Sequence, residues 1–152
     1  MRKLLLTVLA LVMLSSSCLA ANWEWINSDA NLGAFYDTDS IRFDMSQKQK
    51  IINRDKFVVW VKFVYDESYA RKRGLPKGTK YSISKIWFDV TQNRFCEEQL
   101  LFYDADNINI ATDKGTWDNI VPGSAGEGIL KRVHKYVQTH IEEIEQRTRG
   151  AQ

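Results

Sequence analysis

The run from Lys56 to Tyr65 gives the strongest strand signal in the chain, because β-branched and aromatic residues fill it almost without interruption. Successive side chains of a strand point to opposite faces. One face would carry Phe57, Val59, Val61, Phe63 and Tyr65, and the other Val58, Trp60, Lys62 and Val64. Since both sets are mostly apolar, the pattern predicts a central strand of a sheet with both of its faces covered.

The N-terminus has the three regions of a secretory signal peptide. Basic residues at positions 2 and 3 precede an uncharged apolar run over residues 4–14, and mostly small residues follow. The run is shorter than the roughly 20 residues that a transmembrane helix requires. We therefore expect export across the inner membrane, to the periplasm, the cell surface or the medium, with no transmembrane segment left after cleavage.

Cleavage after Ala20 fits the small residues that close the apolar run. This divides the chain into a signal peptide, residues 1–20, and a single domain, residues 21–152. Lipidation at Cys18 is the less favoured alternative, since a lipoprotein signal would carry leucine where Ser15 stands.

Charge and cysteine content limit the function of the mature chain. Cleavage takes away Arg2 and Lys3 from 21 basic residues and none of the 19 acidic ones, so the mature chain is neutral. A nucleic-acid-binding protein is usually basic, and we expect no nucleic-acid partner. Cleavage also leaves Cys96 as a lone cysteine, which we expect to be buried among its apolar neighbours rather than paired with another chain.

The remaining pattern predicts an α+β fold. Short alternating strands at 23–26, 33–36 and 41–43 precede the central strand, and longer strands at 80–90 and 94–103 form a hairpin beyond it. A change of apolar parity in the first strand of this hairpin predicts a bulge near Lys85. With a further short strand at 108–111, the chain reads as an antiparallel meander.

Two helices are expected. A short one after Tyr65 has acidic residues first and basic residues last, which complements the helix dipole. A long C-terminal amphipathic helix would begin at Ser124, with Glu127 completing a capping box, and would cover one face of the sheet. Its apolar residues at helical spacing are Ile129, Val133, Tyr136, Val137, Ile141 and Ile144.

Two aspartate pairs resemble the start of a calcium loop. Asp37 and Asp39, like Asp104 and Asp106, stand two residues apart, but isoleucine follows where a further oxygen ligand belongs. We interpret them as turn residues, and the sequence predicts no metal or other cofactor.

Cysteine, histidine and serine residues give no catalytic pattern. His134 and His140 are six residues apart on the predicted helix and point in different directions, and Cys96 would need a histidine folded against it to act as a nucleophile. Ser124 lacks the glycine that a nucleophile elbow carries two residues earlier, since Pro122 stands there. We predict no catalytic residue and a protein that is not an enzyme.

One concentrated basic patch stands out in the neutral mature chain. It consists of Arg71, Lys72, Arg73, Lys77 and Lys80. A helix end in water explains such a patch, and a binding site for an anionic partner explains it as well. These five residues are the candidate partner-binding residues.

Several short sequence motifs, taken in order along the chain, resemble those of the bacterial surface-adhesin protein E family. They are Trp25-Ile26, Tyr36-Asp37-Thr38-Asp39-Ser40-Ile41, Val59-Trp60-Val61-Lys62, Tyr81-Ser82-Ile83-Ser84-Lys85, Tyr103-Asp104, Trp117 and Ile120-Val121-Pro122-Gly123-Ser124. The resemblance implies a small exported α+β domain, able to form homodimers, that attaches to host matrix proteins such as laminin and vitronectin. A cysteine pair that braces relatives of this kind is not matched, because Cys96 has no partner.

Two functional hypotheses follow. The first is an exported or surface-displayed non-catalytic binding protein, with matrix proteins or anionic glycans as partners. The second is a periplasmic protein for small-ligand binding or envelope maintenance, with an apolar cleft between sheet and helix.

Overall fold

Strands and helices of the computed structural model combine into an α+β fold, as the sequence predicts. The structure describes residues 21–29, 31–104, 108–111 and 115–151. The predicted signal peptide, residues 1–20, lies outside them. The strands are β1 (Trp23–Ser28), β2 (Leu32–Asp37), β3 (Arg42–Met45), β4 (Ile52–Tyr65), β5 (Tyr81–Asp89), β6 (Arg94–Tyr103), β7 (Ile108–Ala111) and β8 (Asp118–Asn119). The helices are α1 (Glu67–Lys72), α2 (Ala125–Thr139) and α3 (Ile141–Gly150), with a 3₁₀ turn at Thr38–Ser40.

The described strands form one antiparallel sheet in the order β1-β2-β4-β5-β6-β7, and β4 is an inner strand as predicted. Both β2 and β3 pair with the same edge of β4, and the 3₁₀ turn interrupts them. At this interruption the Ser40 hydroxyl accepts a hydrogen bond from the Trp60 backbone N–H at 2.9 Å. The hydroxyl thereby replaces the strand partner that Trp60 lacks on that side.

The predicted irregularity near Lys85 is present, but the extra residue lies in the neighbouring strand. Lys85 pairs with Gln99 and Ile86 pairs with Glu97, so Glu98 of β6 is the bulged residue. Strand β5 itself keeps its alternation, because Ser82 and Ser84 continue the buried face that Ile86 begins. The change of apolar parity therefore reflects serines on the buried face and not a twist of β5.

The core lies between the sheet and the C-terminal helices. Phe57, Val59 and Val61 of β4 are fully buried on this face, and Val133 and Ile144 of the helices pack against them. Burying each of these large side chains contributes roughly 1.5–3 kcal/mol. The predicted apolar face of the C-terminal segment is thus the face that covers the sheet.

The prediction that both faces of β4 are covered is wrong. On the second face Val58 is buried and Trp60 is half-buried, but Val64 is 39 % exposed. Among the described residues, the buried core joins helices α2 and α3 to the Phe57 face alone. We call the second face, which carries Val58, Trp60, Lys62 and Val64 with their neighbours on adjacent strands, the outer face.

The single long C-terminal helix predicted from the sequence is two helices that meet at His140. The Thr139 hydroxyl and the His140 Nδ1 both lie within 3.0 Å of the Tyr136 carbonyl oxygen, and the His140 N–H bonds the Val137 carbonyl, one residue closer than in an α-helix. Side-chain bonds of this kind compete with helical hydrogen bonding. The break redirects α3 from the face of the sheet to its edge.

Helix α3 packs along the edge of the sheet at β3. The Thr148 hydroxyl accepts a hydrogen bond from the Phe43 N–H at 3.0 Å, and Arg147 Nη1 donates to the Thr38 carbonyl at 2.6 Å. The Thr148 bond satisfies a backbone N–H that the edge strand β3 would otherwise leave open, and the Arg147 bond fixes α3 to the 3₁₀ turn.

Candidate functional site

Helix α1 carries the first three residues of the predicted basic patch. Asp66 caps the helix by accepting hydrogen bonds from the Ser68 and Tyr69 N–H groups. Together with the Ser68 hydroxyl, these bonds hold the pKa of Asp66 below its ordinary value. Arg71 and Lys72 lie in the last turn, where positive charge is favourable. The short helix is therefore built as the sequence predicts.

Three of the five candidate residues line one groove between α1 and the loop that follows it. Arg71, Lys77 and Lys80 are exposed at its wall, and Leu75 contributes to its apolar lining. The groove has a volume of about 470 Å³. Glu67 is the acidic residue in the lining, and it pairs with Arg71 across 3.4 Å. We call this feature the basic groove.

The loop reaches this shape through two glycines. Gly74 has a φ of 70° and Gly78 a φ of 87°, a backbone region that other residues rarely adopt. Directly after Gly78, the Thr79 hydroxyl donates to the Pro76 carbonyl at 2.7 Å. The turn therefore holds Lys77 and Lys80 on the same side as Arg71.

The other two candidate residues lie outside the basic groove. Lys72 and Arg73 border a separate depression with Tyr69 and Asn31. The Arg73 guanidinium lies 5.3 Å from the centre of the Tyr69 ring, and its Nε donates to the Tyr69 hydroxyl at 3.1 Å. The five predicted residues are thus divided between two depressions. Neighbours on a helix point about 100° apart, so adjacency in sequence does not place them on one surface.

A small cleft lies where the start of α2 meets the sheet. It is lined by Leu32, Ala34 and Phe63 of the sheet and by Ala125 and Ile129 of the helix side. Its volume is about 140 Å³, against the roughly 300–1,000 Å³ of typical ligand pockets. This cleft is therefore smaller than the one that the small-ligand hypothesis requires.

Cys96 is buried, as predicted. Its Sγ donates a hydrogen bond to the Gly115 carbonyl oxygen at 3.0 Å. Burial raises the pKa of the thiol, and the nearby carboxylate of Glu98 adds to this effect. A thiol whose pKa is raised is a poor nucleophile at neutral pH.

The remaining polar residues tested in the sequence have structural contacts. Asp37 accepts hydrogen bonds from the Asn22 and Asp39 N–H groups and so caps the 3₁₀ turn, whereas Asp106 lies outside the described residues. Ser124 caps α2 by accepting from the Glu127 N–H at 3.3 Å.

Each of the two histidine rings stacks on a different aromatic side chain. The His134 ring stacks on Phe57 and the His140 ring on Tyr136.

Across residues 21–29, 31–104, 108–111 and 115–151, no three His, Cys, Asp or Glu residues converge as a metal site would require. Within the same part of the chain, no helix has both the length and the apolar character to cross a membrane.

The outer face carries a cluster of aromatic and basic side chains that the sequence analysis did not select. Lys62 Nζ lies 4.5 Å from the centre of the Tyr81 ring and 5.9 Å from that of Trp23. Lys56 lies near Trp87 and Trp117 in the same manner. The available signal was Lys62 itself, the single charge within the apolar run from Phe57 to Tyr65.

Comparison of the chain with protein-family models, curated proteins and solved structures finds no match.

Proposed function

We propose that the protein is an exported, non-catalytic binding protein that uses the basic groove to attach to anionic partners. The observation that supports this most directly is the convergence of Arg71, Lys77 and Lys80 on one groove of about 470 Å³. Matrix proteins with acidic segments and anionic glycans are the proposed partners, as the resemblance to the surface-adhesin protein E family implies.

Local charge supports binding even though the mature chain is neutral. Three cations and one acid line the groove, so the local potential is positive. The side chains are exposed, and charges more than about 8 Å apart in water are largely screened at physiological ionic strength. Binding through this groove should therefore be weak and should decrease as salt concentration rises.

The lining of the groove also favours binding over catalysis. The Thr79 hydroxyl is buried and already donates to the Pro76 carbonyl. Glu67 is paired with Arg71. The groove is therefore suited to holding an anion, and the proposal assigns the protein no reaction.

Two matched double variants test the groove. Arg71→Glu with Lys77→Glu reverses two charges inside it, whereas Lys72→Glu with Arg73→Glu reverses two charges outside it. Binding to immobilised heparin, vitronectin and laminin is measured at several salt concentrations. The groove variant should bind about tenfold more weakly, equivalent to about 1.4 kcal/mol, and the control should bind nearly as the parent does. If the groove variant binds as tightly as the control and the parent do, the partner surface lies elsewhere.

Stability measurements accompany the binding assay. Surface substitutions usually change the free energy of unfolding by no more than about 0.5 kcal/mol. Both variants should therefore unfold close to the parent temperature. A binding loss accompanied by a large loss of stability would contradict a role for the groove itself.

Surface exposure separates this proposal from the periplasmic alternative. A surface-displayed binding protein should be digested by protease added to intact cells, whereas a periplasmic one should be digested only after the outer membrane is opened. The mass of the mature protein tests export: a chain that begins at Ala21 supports cleavage after Ala20, and a lipidated Cys18 supports membrane anchoring instead.

A further inference from the structure

We propose that the outer face is a second binding surface, and that it takes an acidic polysaccharide whose carboxylates are widely spaced. Its centre is a row of register partners across five strands, β1, β2, β4, β5 and β6. The row consists of Trp25, Phe35, Lys62, Ile83 and Leu101. At the usual spacing of neighbouring strands the row is about 19 Å long.

Exposed apolar surface marks this row as a contact surface. Trp25 is 49 % exposed and Val64, beside Lys62, is 39 % exposed. The Trp25 ring is held edge-on against Phe35 with ring centres 5.4 Å apart, so its position is set before any ligand arrives. Rigid, half-exposed aromatic rings pack well against the C–H faces of sugar rings, and their presence on an exposed face indicates an interaction site.

Charge pairing on the outer face identifies the kind of ligand. Lys56, Lys85 and Arg94 each pair with a carboxylate, from Asp44, Glu98 and Asp89 respectively. Lys62 differs from them. In the described part of the chain it makes no ion pair, and its ammonium group contacts the Tyr81 and Trp23 rings. A half-buried cation that has no carboxylate as its ion-pair partner is complemented by a ligand that carries a carboxylate.

The sparse positive charge favours a polysaccharide over other occupants. A nucleic acid carries one phosphate per nucleotide, whereas this row offers one cation in an apolar setting. A second copy of the chain would bring another Lys62-bearing face against the first, and the Asp44, Glu98 and Asp89 carboxylates of that face are already paired. A glycan with one uronate between neutral sugars matches both the rings and the single charge.

Polar groups beside the row are already fixed in position. The Glu98 carboxylate accepts from Trp87 Nε1 at 2.8 Å and pairs with Lys85 at 2.9 Å. Because these side chains are ordered by one another, their remaining hydrogen-bonding capacity can meet sugar hydroxyls at a low entropic cost. The bulge at Glu98 thus contributes to the same surface.

The test uses hyaluronan octasaccharide, in which glucuronate alternates with N-acetylglucosamine, and the mature protein. Binding is followed by tryptophan fluorescence and by amide chemical shifts of β2, β4 and β5. Lys62→Gln should weaken binding about tenfold, and Lys72→Gln, an equal loss of charge on α1, should leave it unchanged. In the basic-groove variant Arg71→Glu with Lys77→Glu, hyaluronan should shift the amides of β2, β4 and β5 as it does in the parent, even though total glycan binding falls through loss of the groove. Failure here is therefore distinct from failure of the proposed function, on which this test does not depend.

A neutral ligand isolates the charge contribution. Chitin octasaccharide, built from N-acetylglucosamine alone, should bind the parent about tenfold more weakly than hyaluronan does, and Lys62→Gln should not weaken it further. Trp25→Ala removes an exposed ring without disturbing the core, and it should weaken both ligands.

Three results would overturn the proposal. The first is hyaluronan binding that Lys62→Gln and Trp25→Ala leave unchanged, or no binding at all. The second is tighter binding of an oligothymidylate, which would make this a surface for single-stranded nucleic acid. The third is a dimer in sedimentation that Trp25→Ala dissociates, which would make it a contact between two copies of the chain.

Discussion

Replacing Thr148 by valine tests how helix α3 is held on the sheet. Thr148 is 6 % exposed, accepts from the Phe43 N–H at 3.0 Å and donates to the Ile144 carbonyl at 2.7 Å. Valine has nearly the same shape, so little packing is lost. The Ile144 carbonyl has a second lone pair and lies within a helix, but the Phe43 N–H loses its acceptor.

The expected loss follows from that single unsatisfied group. A buried N–H without an acceptor costs about 1–3 kcal/mol, so we expect Thr148→Val to lower the free energy of unfolding by about 2 kcal/mol. For a domain of this size the melting temperature should fall by roughly 6–10 °C. Urea denaturation followed by circular dichroism measures the first quantity, and calorimetry the second.

Two controls separate the hydrogen bond from other effects. Thr148→Ser keeps the hydroxyl and removes a methyl group, and it should lose about 1 kcal/mol. Thr91→Val makes the same replacement at an exposed position in the turn between β5 and β6, and it should change stability by less than about 0.5 kcal/mol. If Thr148→Val unfolds within 0.5 kcal/mol of the parent, roughly the experimental error, the bond to Phe43 does not hold α3 in place.

Two further predictions concern burial. Because Cys96 is buried and its pKa is raised, a thiol reagent should label it slowly in the native protein and quickly in denaturant; rapid native labelling would contradict its burial. Phe57→Ala should lower the free energy of unfolding by about 3–5 kcal/mol, and Trp60→Ala, at a half-buried position, by clearly less. Equal losses from the two variants would indicate that the outer face is covered.

Alternation in the sequence was sufficient to place the central strand and to group its residues by face. It could not tell which face would be covered, because a half-exposed aromatic face and a buried one have the same composition. Trp60 illustrates this: it fits a core as well as it fits an exposed sheet surface. The choice depends on where α2 and α3 pack, which the strand itself does not determine.

The C-terminal break was not predictable from periodicity. Val137, Ile141 and Ile144 continue the apolar spacing across His140, and neither glycine nor proline marks the junction. The break depends on hydrogen bonds of Thr139 and His140 to the Tyr136 carbonyl, and both side chains also occur within uninterrupted helices.

The basic residues were found from composition, but their division between two surfaces was not. Arg71 and Lys72 are neighbours in sequence, yet they border different depressions. The outer-face residues were not found because they are far apart in the sequence. They are spread over five strands, so only the strand register brings Trp25 next to Phe35 and Phe35 next to Lys62.

Helix α3 also has a consequence for solubility. An open strand edge can pair with the same edge of another chain, which is a common start of aggregation. Through Thr148, α3 occupies the Phe43 N–H at the edge of β3, and through Arg147 it is bonded to Thr38 in the neighbouring 3₁₀ turn. A chain that ends at His140 would lose the buried Ile144 and would also expose this edge, so besides being less stable it should self-associate through β3.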